Sequence, residues 1–235
     1  MKIEKKRSGR LEFCIFLLLV FVLSGCDRQE SSVNINAEPL QPAKNYEGTV
    51  IAMGNSLTAG LGVAEEEAYP AMLEKKLQQN GYNWQVINGG ISGETSSGAL
   101  ARINWIIAQQ PDIVILETGA NDGMRGINTG FIRKNISQTV KLLKEAGAEV
   151  VLAGMQMLQN LGPVYTEQFA EVYPAVAKEQ QVILIPFFLE KVAGDRSLNL
   201  ADGIHPTPAG HQIVAQTVYP YVVEAIKAGE RNNIR

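Results

Sequence analysis

Short apolar segments alternate with longer helix-length segments along most of this chain, and this alternation is the strongest constraint on its fold. Five segments rich in apolar and β-branched residues have the length of strands, at residues 49–53, 84–88, 113–116, 149–153 and 182–185. Continuous apolar runs of this kind are typical of strands buried on both faces of a sheet. A helix-length segment follows each of them, at residues 66–80, 95–110, 130–146, 165–180 and 207–228.

The repeated strand–helix order predicts an α/β fold. Parallel strands must be joined by crossovers, and a right-handed crossover packs its helix onto the sheet. We therefore expect a three-layer α/β/α sandwich with a central parallel sheet of about five strands. In such sheets the site lies at the carboxyl ends of the strands, where the connecting loops converge.

The first 47 residues lack this alternation, and the pattern of the first 25 predicts that the protein is exported. Five basic residues among the first ten precede an apolar run of 11 residues at 13–23. Because a membrane-spanning helix needs about 20 residues, we interpret residues 1–25 as a signal peptide rather than a transmembrane anchor. Residues 26–47 are polar, contain two prolines and lack periodicity, which predicts a flexible tether. Residues 48–235 have the size of one domain.

The sequence Leu23-Ser24-Gly25-Cys26 resembles the lipobox of bacterial lipoproteins. By this resemblance Cys26 is lipidated and becomes the first residue, and several acyl chains hold the protein on the periplasmic face of a bacterial membrane. Asp27 resembles the inner-membrane retention signal of some Gram-negative lipoproteins. A plain signal peptide with an incidental cysteine is the alternative. Without Cys14, which lies in the signal, a single cysteine remains and cannot form an intramolecular disulfide.

The charge of the processed chain disfavours nucleic acid as a partner. Loss of residues 1–25 removes five basic and two acidic side chains, which changes the formal charge from −3 to −6. No basic stripe remains to bind phosphates. Membrane contact is therefore expected from the lipid anchor rather than from the domain.

A serine lies in the turn after the first predicted strand, in Gly54-Asn55-Ser56-Leu57-Thr58-Ala59-Gly60. Glycines let such a turn bend tightly and present the serine hydroxyl at the edge of the sheet. The spacing is not the Gly-x-Ser-x-Gly elbow of α/β-hydrolases, and the Gly-Lys-Ser/Thr ending of a phosphate-binding loop is absent from this turn. The structural alternative is a serine that caps a helix.

A carboxylate and a histidine lie three residues apart in the last predicted loop, as Asp202 and His205. A serine needs a base to take its proton and a third group to orient that base, and Ser56, His205 and Asp202 supply these parts. A zinc site would require more ligands than this loop offers, so we expect no metal. His211 lies in the predicted final helix and is expected to be a packing residue.

Two further segments follow predicted strands and offer hydrogen-bond donors. The first, residues 88–95, contains three glycines whose main-chain N–H groups can face a cavity, although such a sequence is also a good turn. The second contains Asn121, whose side-chain amide can donate to a developing negative charge or cap a helix. Asp122 is expected to be structural, because a carboxylate beside an oxyanion would repel it.

Together these motifs resemble the SGNH hydrolase superfamily, also called GDSL-type esterases, and most closely its bacterial thioesterase I, lysophospholipase and arylesterase subgroup. The residues that carry the resemblance are Ser56 in GNSL, Gly93 in ISGET, Asn121 in GAND and His205 in DGIHP, with Asp202 as the acid of the triad. The resemblance covers essentially the whole predicted domain. It implies the flavodoxin-like fold of that superfamily.

The resemblance also implies a mechanism. The main-chain N–H groups of Ser56 and Gly93 and the amide of Asn121 would form the oxyanion hole, and acyl transfer would proceed through an acyl-enzyme without cofactor or metal. One position departs from the family, which usually has aspartate where this chain has Asn55. Asparagine keeps an acceptor oxygen but loses the charge, and activity is expected to survive this change.

The expected substrates are acyl or aryl esters and thioesters, including lysophospholipids. Eight apolar side chains near the predicted site suit an acyl chain, although each is equally well explained by packing: Leu57, Leu61, Met124, Ile127, Met155, Met157, Leu158 and Leu161. One alternative is a deacetylase of cell-envelope glycans, which would have a more polar cleft with aromatic platforms. Another is a non-catalytic lipoprotein that binds a lipid in the same pocket.

Overall fold

A five-stranded parallel sheet forms the centre of the protein, as the alternation of segments predicts. The computed structural model describes residues 45–233, so the predicted signal peptide, Cys26, Asp27 and the tether up to residue 44 lie outside the described residues. The strands are β1 (Gly48–Gly54), β2 (Trp84–Gly90), β3 (Ile113–Glu117), β4 (Glu149–Ala153) and β5 (Ile183–Ile185). They are arranged in the order β2-β1-β3-β4-β5, and every pairing is parallel.

The helices pack on both faces of the sheet. Their bounds are α1 (Ser56–Ala59), α2 (Tyr69–Gln79), α3 (Ser96–Ala101), α4 (Ile103–Ile107), α5 (Ala120–Met124), α6 (Thr129–Glu145), α7 (Pro163–Gln180) and α8 (Pro208–Asn233). Helices α2 and α8 pack together, while α6 packs against α3, α4 and α7. This is the expected three-layer sandwich. Among residues 45–233, no helix combines the length and the apolar content needed to cross a membrane.

Two short α-helices and one break in a helix were not predicted. Helices α1 and α5 have only four and five residues, which is too short to produce an apolar periodicity. The predicted helix over residues 95–110 is divided at Arg102, whose backbone leaves the helical region with φ −100° and ψ 10°. The guanidinium of Arg102 turns there toward the carboxyl ends of β1 and β2.

Strand register places the ends of the central strands side by side. Met53 of β1 is paired with Leu116 of β3, and Gly54 with Gly90 of β2. The residues that follow β1, β2 and β3 therefore lie at one edge of the sheet. All five residues of β3 are buried, so this edge is held by the centre of the core.

Candidate active site

Ser56 is the first residue of α1 and follows β1 directly. The helix is capped by Asn55, whose Oδ1 accepts a hydrogen bond from the N–H of Leu57 at 3.0 Å. Capping by the preceding asparagine satisfies the helix end, so the hydroxyl of Ser56 does not have that task. The alternative reading of Ser56 as a capping serine is therefore wrong, because Asn55 occupies the capping position.

The loop before α8 brings Asp202 and His205 together. A main-chain hydrogen bond from Leu200 N to His205 O, at 2.7 Å, closes the loop. Gly203 between them has φ +71°, a left-handed conformation that glycine adopts at little cost. The tight turn directs both side chains to the same side.

Ser56, His205 and Asp202 form a continuous chain of side-chain contacts. Oγ of Ser56 lies 2.9 Å from Nε2 of His205, and Nδ1 of the same ring lies 2.7 Å from Oδ2 of Asp202. The structure thus brings together the three residues that the sequence predicts, although Ser56 and His205 are 149 positions apart. Both distances are within hydrogen-bond reach of a nucleophile, a base and an orienting group.

The environment of Asp202 keeps its carboxylate ionised. Oδ1 accepts main-chain hydrogen bonds from His205 at 3.0 Å and from Ile204 at 2.8 Å. These bonds, together with the His205 side chain, lower the pKa of Asp202 to about 2. A charged carboxylate beside Nδ1 favours a proton on that nitrogen and leaves Nε2 as an acceptor toward Ser56.

Asn121 and Gly93 lie in neighbouring loops that are joined by a hydrogen bond. The side-chain amide of Asn121, in α5, donates to the main-chain oxygen of Glu94 at 2.9 Å. Gly93 precedes Glu94 and has φ +80°, so a side chain would strain the loop here. The contact fixes the Asn121 amide against the loop that carries the Gly93 N–H.

Asp122, next to Asn121, has the contacts of a structural residue, in agreement with the sequence-based expectation. Its carboxylate accepts hydrogen bonds from the N–H and the hydroxyl of Ser96, each at 2.7 Å. Asn135 of α6 donates to the same hydroxyl at 3.1 Å. This buried network ties α5 to the start of α3 and thereby stabilises the position of Asn121.

A second network, which the sequence did not indicate, supports the Gly93 loop. Arg102 binds both carboxylate oxygens of Glu94, at 2.6 and 2.8 Å, and also donates to the main-chain oxygen of Gly89 at 2.8 Å. The pair is largely shielded from solvent. Bidentate contacts of this kind fix geometry as well as charge, so Arg102 holds the loop after β2 in a defined position.

Glu117, at the end of β3, lies behind the serine turn and was also missed from the sequence. It is fully buried, and its carboxylate accepts hydrogen bonds from the main chain and amide of Asn55 and from Thr58. Burial raises the pKa of Glu117 to about 7, and the hydrogen bonds from Asn55 and Thr58 partly oppose this shift. A glutamate at the end of an apolar strand is the only sequence signal for this contact.

An apolar cavity of about 610 Å³ opens beside Ser56. Its walls include Asn121 and six of the eight apolar side chains that the sequence suggested, namely Leu57, Met124, Met155, Met157, Leu158 and Leu161. Leu61 and Ile127 are not among the lining residues. Phe187, Leu189 and Ile204 contribute further apolar surface. The cavity has the size and character of a site for an apolar small molecule.

His211 is buried in α8, as the sequence-based expectation of a packing residue requires. Its Nδ1 accepts a hydrogen bond from the N–H of Tyr69 at 3.3 Å, at the start of α2. Burial, with a smaller contribution from His205, lowers its pKa to about 4. Within residues 45–233, no group of three His, Cys, Asp or Glu side chains is arranged to hold a metal ion.

A serine hydroxyl, an imidazole and a carboxylate in hydrogen-bond sequence at the edge of a parallel sheet are the parts of a serine hydrolase. The chain belongs to the GDSL-like lipase/acylhydrolase family, whose model matches residues 52–213. It is therefore a carboxylic ester hydrolase of the GDSL/SGNH type.

Three relatives and one solved structure illustrate the similarity. The chain is 39% identical to esterase TesA of Pseudomonas aeruginosa over 173 residues, which are 73% of this chain and 86% of that protein. It is 37% identical to an arylesterase of Vibrio mimicus over 79% of this chain and 93% of that protein. It is also 37% identical to thioesterase 1/protease 1/lysophospholipase L1 of Escherichia coli K12, over 71% of this chain and 79% of that protein. The crystal structure of TesA superposes with a TM-score of 0.73 at 38% identity, covering 75% of this chain and 99% of that chain.

Proposed function

We propose that this protein is a serine esterase that hydrolyses acyl or aryl esters and thioesters through a Ser56-His205-Asp202 triad. The observation that carries the proposal is the contact sequence from Ser56 Oγ to His205 Nε2 and from His205 Nδ1 to Asp202, at 2.9 and 2.7 Å. An ionised Asp202 orients the ring and stabilises its protonated form. His205 is then the base for the Ser56 proton.

The reaction proceeds in two steps. Ser56 Oγ attacks the substrate carbonyl while Nε2 of His205 takes the hydroxyl proton, and the same proton passes to the leaving alcohol or thiol as the acyl-enzyme forms. Water then attacks the acyl-enzyme with His205 again as base, which releases the acid and restores Ser56. The N–H groups of Ser56 and Gly93 and the amide of Asn121 stabilise the oxyanion in both steps.

The cavity supports an apolar acyl or aryl group as the main specificity element. Methionine, leucine and phenylalanine side chains dominate its walls, and burying apolar substrate surface against them contributes about 25 cal/mol per Å². The names of the relatives, which include arylesterase and lysophospholipase, support the same class. A deacetylase of cell-envelope glycans would need a more polar cleft, and a non-catalytic lipid carrier would use the cavity without the triad.

Hydrolysis of p-nitrophenyl esters from acetate to palmitate tests this proposal. The full chain is compared with Ser56→Ala and with Ser137→Ala, a matched control whose hydroxyl lies on α6 and contacts Glu179. We expect turnover to be lost only in Ser56→Ala, with an optimum at medium or long chains. An acetate optimum would favour the deacetylase. Equal rates in wild type and Ser56→Ala, with a lipid bound in the cavity, would favour the carrier.

We also propose that Cys26 anchors the protein to a membrane on the periplasmic side, with the inner membrane as the location that Asp27 indicates. The support is the sequence Leu23-Ser24-Gly25-Cys26 after a short apolar run. Metabolic labelling with a fatty acid followed by membrane fractionation tests this. Label in the wild type and none in Cys26→Ala is expected, whereas an unlabelled, freely released wild type would contradict the anchor.

A further inference from the structure

A buried carboxylate lies directly behind the turn that carries Ser56. Oε2 of Glu117 accepts hydrogen bonds from the N–H of Asn55 and from the hydroxyl of Thr58, both at 3.0 Å. Oε1 accepts from the side-chain amide of Asn55 at 2.6 Å. All three donors belong to residues that flank Ser56 on either side, so one carboxylate determines where the turn lies.

The close approach of the Glu117 carboxylate to the turn requires a glycine at position 54. A Cβ atom at position 54 would lie 2.6 Å from Oε2 of Glu117 and 2.1 Å from Oγ1 of Thr58. Neither contact is compatible with a side chain, so Gly54 is the residue that allows Glu117 to approach the main chain. This gives the first glycine of the GNSL sequence a specific physical reason.

Glu117 has only neutral hydrogen-bond donors. Among residues 45–233, none of the ion pairs includes Glu117. Tyr69 behind Thr58, Tyr173 and Glu94 also lie near it, and none of these three supplies a positive charge. Burying a carboxylate without a cation costs free energy. Proteins accept such unfavourable burial mainly at functional sites, where the geometry of the site requires it.

We propose that Glu117 is a positioning residue for the nucleophile Ser56 and that Asn55 is the side chain matched to it. Asn55 makes two contacts at once: its oxygen caps α1 through the N–H of Leu57, and its nitrogen donates to Glu117. An aspartate there would keep the cap but set two carboxylates against each other, a pair that must hold a shared proton. The amide gives the same geometry without that proton. This inference rests on the proposed role of Ser56.

Exchange of the two partners provides the test. Asn55 donates to both carboxylate oxygens of Glu117, one through its main-chain N–H and one through its side-chain amide. In Glu117→Gln, the new NH₂ group therefore opposes one of these N–H groups in either orientation, and that hydrogen bond is lost. In the double variant Asn55→Asp/Glu117→Gln, the carboxylate at position 55 can accept from the amide at position 117 and still cap α1. Glu74→Gln is the matched control, because Glu74 also accepts a main-chain N–H, from Val86 at 2.8 Å, but lies on α2 away from Ser56.

The measurements are kcat and KM for p-nitrophenyl butyrate in the full chain, with thermal unfolding of each variant. For Glu117→Gln we expect kcat to fall about 10- to 100-fold, the cost of a small misplacement of a reacting group, with KM within about twofold. The double variant should recover most of that loss, which would show coupling between the two sites. Glu74→Gln should keep the wild-type kcat.

Two results would overturn the inference. One is a kcat for Glu117→Gln within about twofold of the wild type, which would show that the contact does not position Ser56. The other is a double variant no better than Glu117→Gln, including the case in which both fail to fold. Failure of the proposed function is distinguished by the wild type itself, which would then show no turnover beyond Ser56→Ala.

Discussion

Oδ2 of Asp202 lies 2.7 Å from Nδ1 of His205, three positions later in the chain. The loop between the two residues turns at Gly203, which has a left-handed backbone conformation. The same carboxylate accepts the main-chain N–H groups of Ile204 and His205. One residue therefore shapes the loop and orients the ring that faces Ser56. Removing its charge should affect the chemistry more than the fold.

Asp202→Asn should lower kcat by roughly 1,000- to 10,000-fold, because an amide can replace the acceptor of the loop but favours the wrong ring tautomer. KM should change little. The control is Asp195→Asn in the preceding loop, where the carboxylate also accepts a main-chain N–H, from Ser197 at 2.8 Å. Equal losses of kcat in the two variants would show that loop stability, not orientation of His205, determines the rate.

Asn121→Ala should lower kcat by about 100- to 1,000-fold, the usual cost of losing one oxyanion donor. It also removes the hydrogen bond to Glu94. Asn128→Ala is the comparison, because Asn128 caps α6 through the N–H of Phe131 and its loss should cost about 1 kcal/mol of stability without lowering kcat. Steady-state kinetics and urea unfolding separate the two effects. A reduced stability with an unchanged kcat in Asn121→Ala would remove it from the oxyanion hole.

Leu158→Asp should reduce kcat/KM for a long-chain ester about tenfold, since burial of a leucine-sized apolar contact is worth about 1.5–3 kcal/mol. The rate with the acetate ester should stay within about twofold. Leu158 lines the cavity yet is 77% exposed, so the fold should tolerate the change. Val164→Asp is the control, at a residue that is 67% exposed and not part of the cavity wall. A uniform effect on all chain lengths would place the acyl group elsewhere.

Protonation of His211 should destabilise the protein in acid. The folded state holds its pKa at about 4, below the ordinary value of 6.5. Because the unfolded chain binds this proton first, the contribution of His211 to stability is lost as the pH falls from about 6.5 to about 4.

His211→Asn keeps an acceptor for the N–H of Tyr69 but cannot be protonated. Urea unfolding at pH 7 and pH 4.5 should therefore show a smaller loss of unfolding free energy in this variant than in the wild type. Parallel losses in the two proteins would mean that the buried ring does not titrate in this range.

The sequence predicted the sheet and the contact of Ser56, His205 and Asp202 because both leave local signals. Apolar runs of strand length identify β1 to β5, and residues that follow buried parallel strands must meet at one edge. That rule connects Ser56, after β1, with Asn121, after β3. The spacing of Asp202 and His205 in one short loop gave the third element of the site.

The supporting contacts had no such signal. From the sequence, Glu117 is interpreted only as the polar last residue of a strand. Nothing in the sequence indicates that it accepts hydrogen bonds from Asn55, 62 positions earlier. Arg102 pairs with Glu94. The sequence predicts a single helix over residues 95–110, with Glu94 just before it, and this prediction does not indicate the pairing. Long-range hydrogen bonds depend on the strand order β2-β1-β3, and periodicity does not determine that order.

The most direct test of the central claim is the intact mass and peptide map of the full chain after reaction with a fluorophosphonate. A triad with an activated Ser56 predicts one phosphonyl adduct, located on Ser56, and a loss of ester turnover in proportion to labelling. Asp202→Asn should label far more slowly. An adduct on another residue, or full turnover by a chain that carries the adduct on Ser56, would contradict the assignment of Ser56 as the nucleophile.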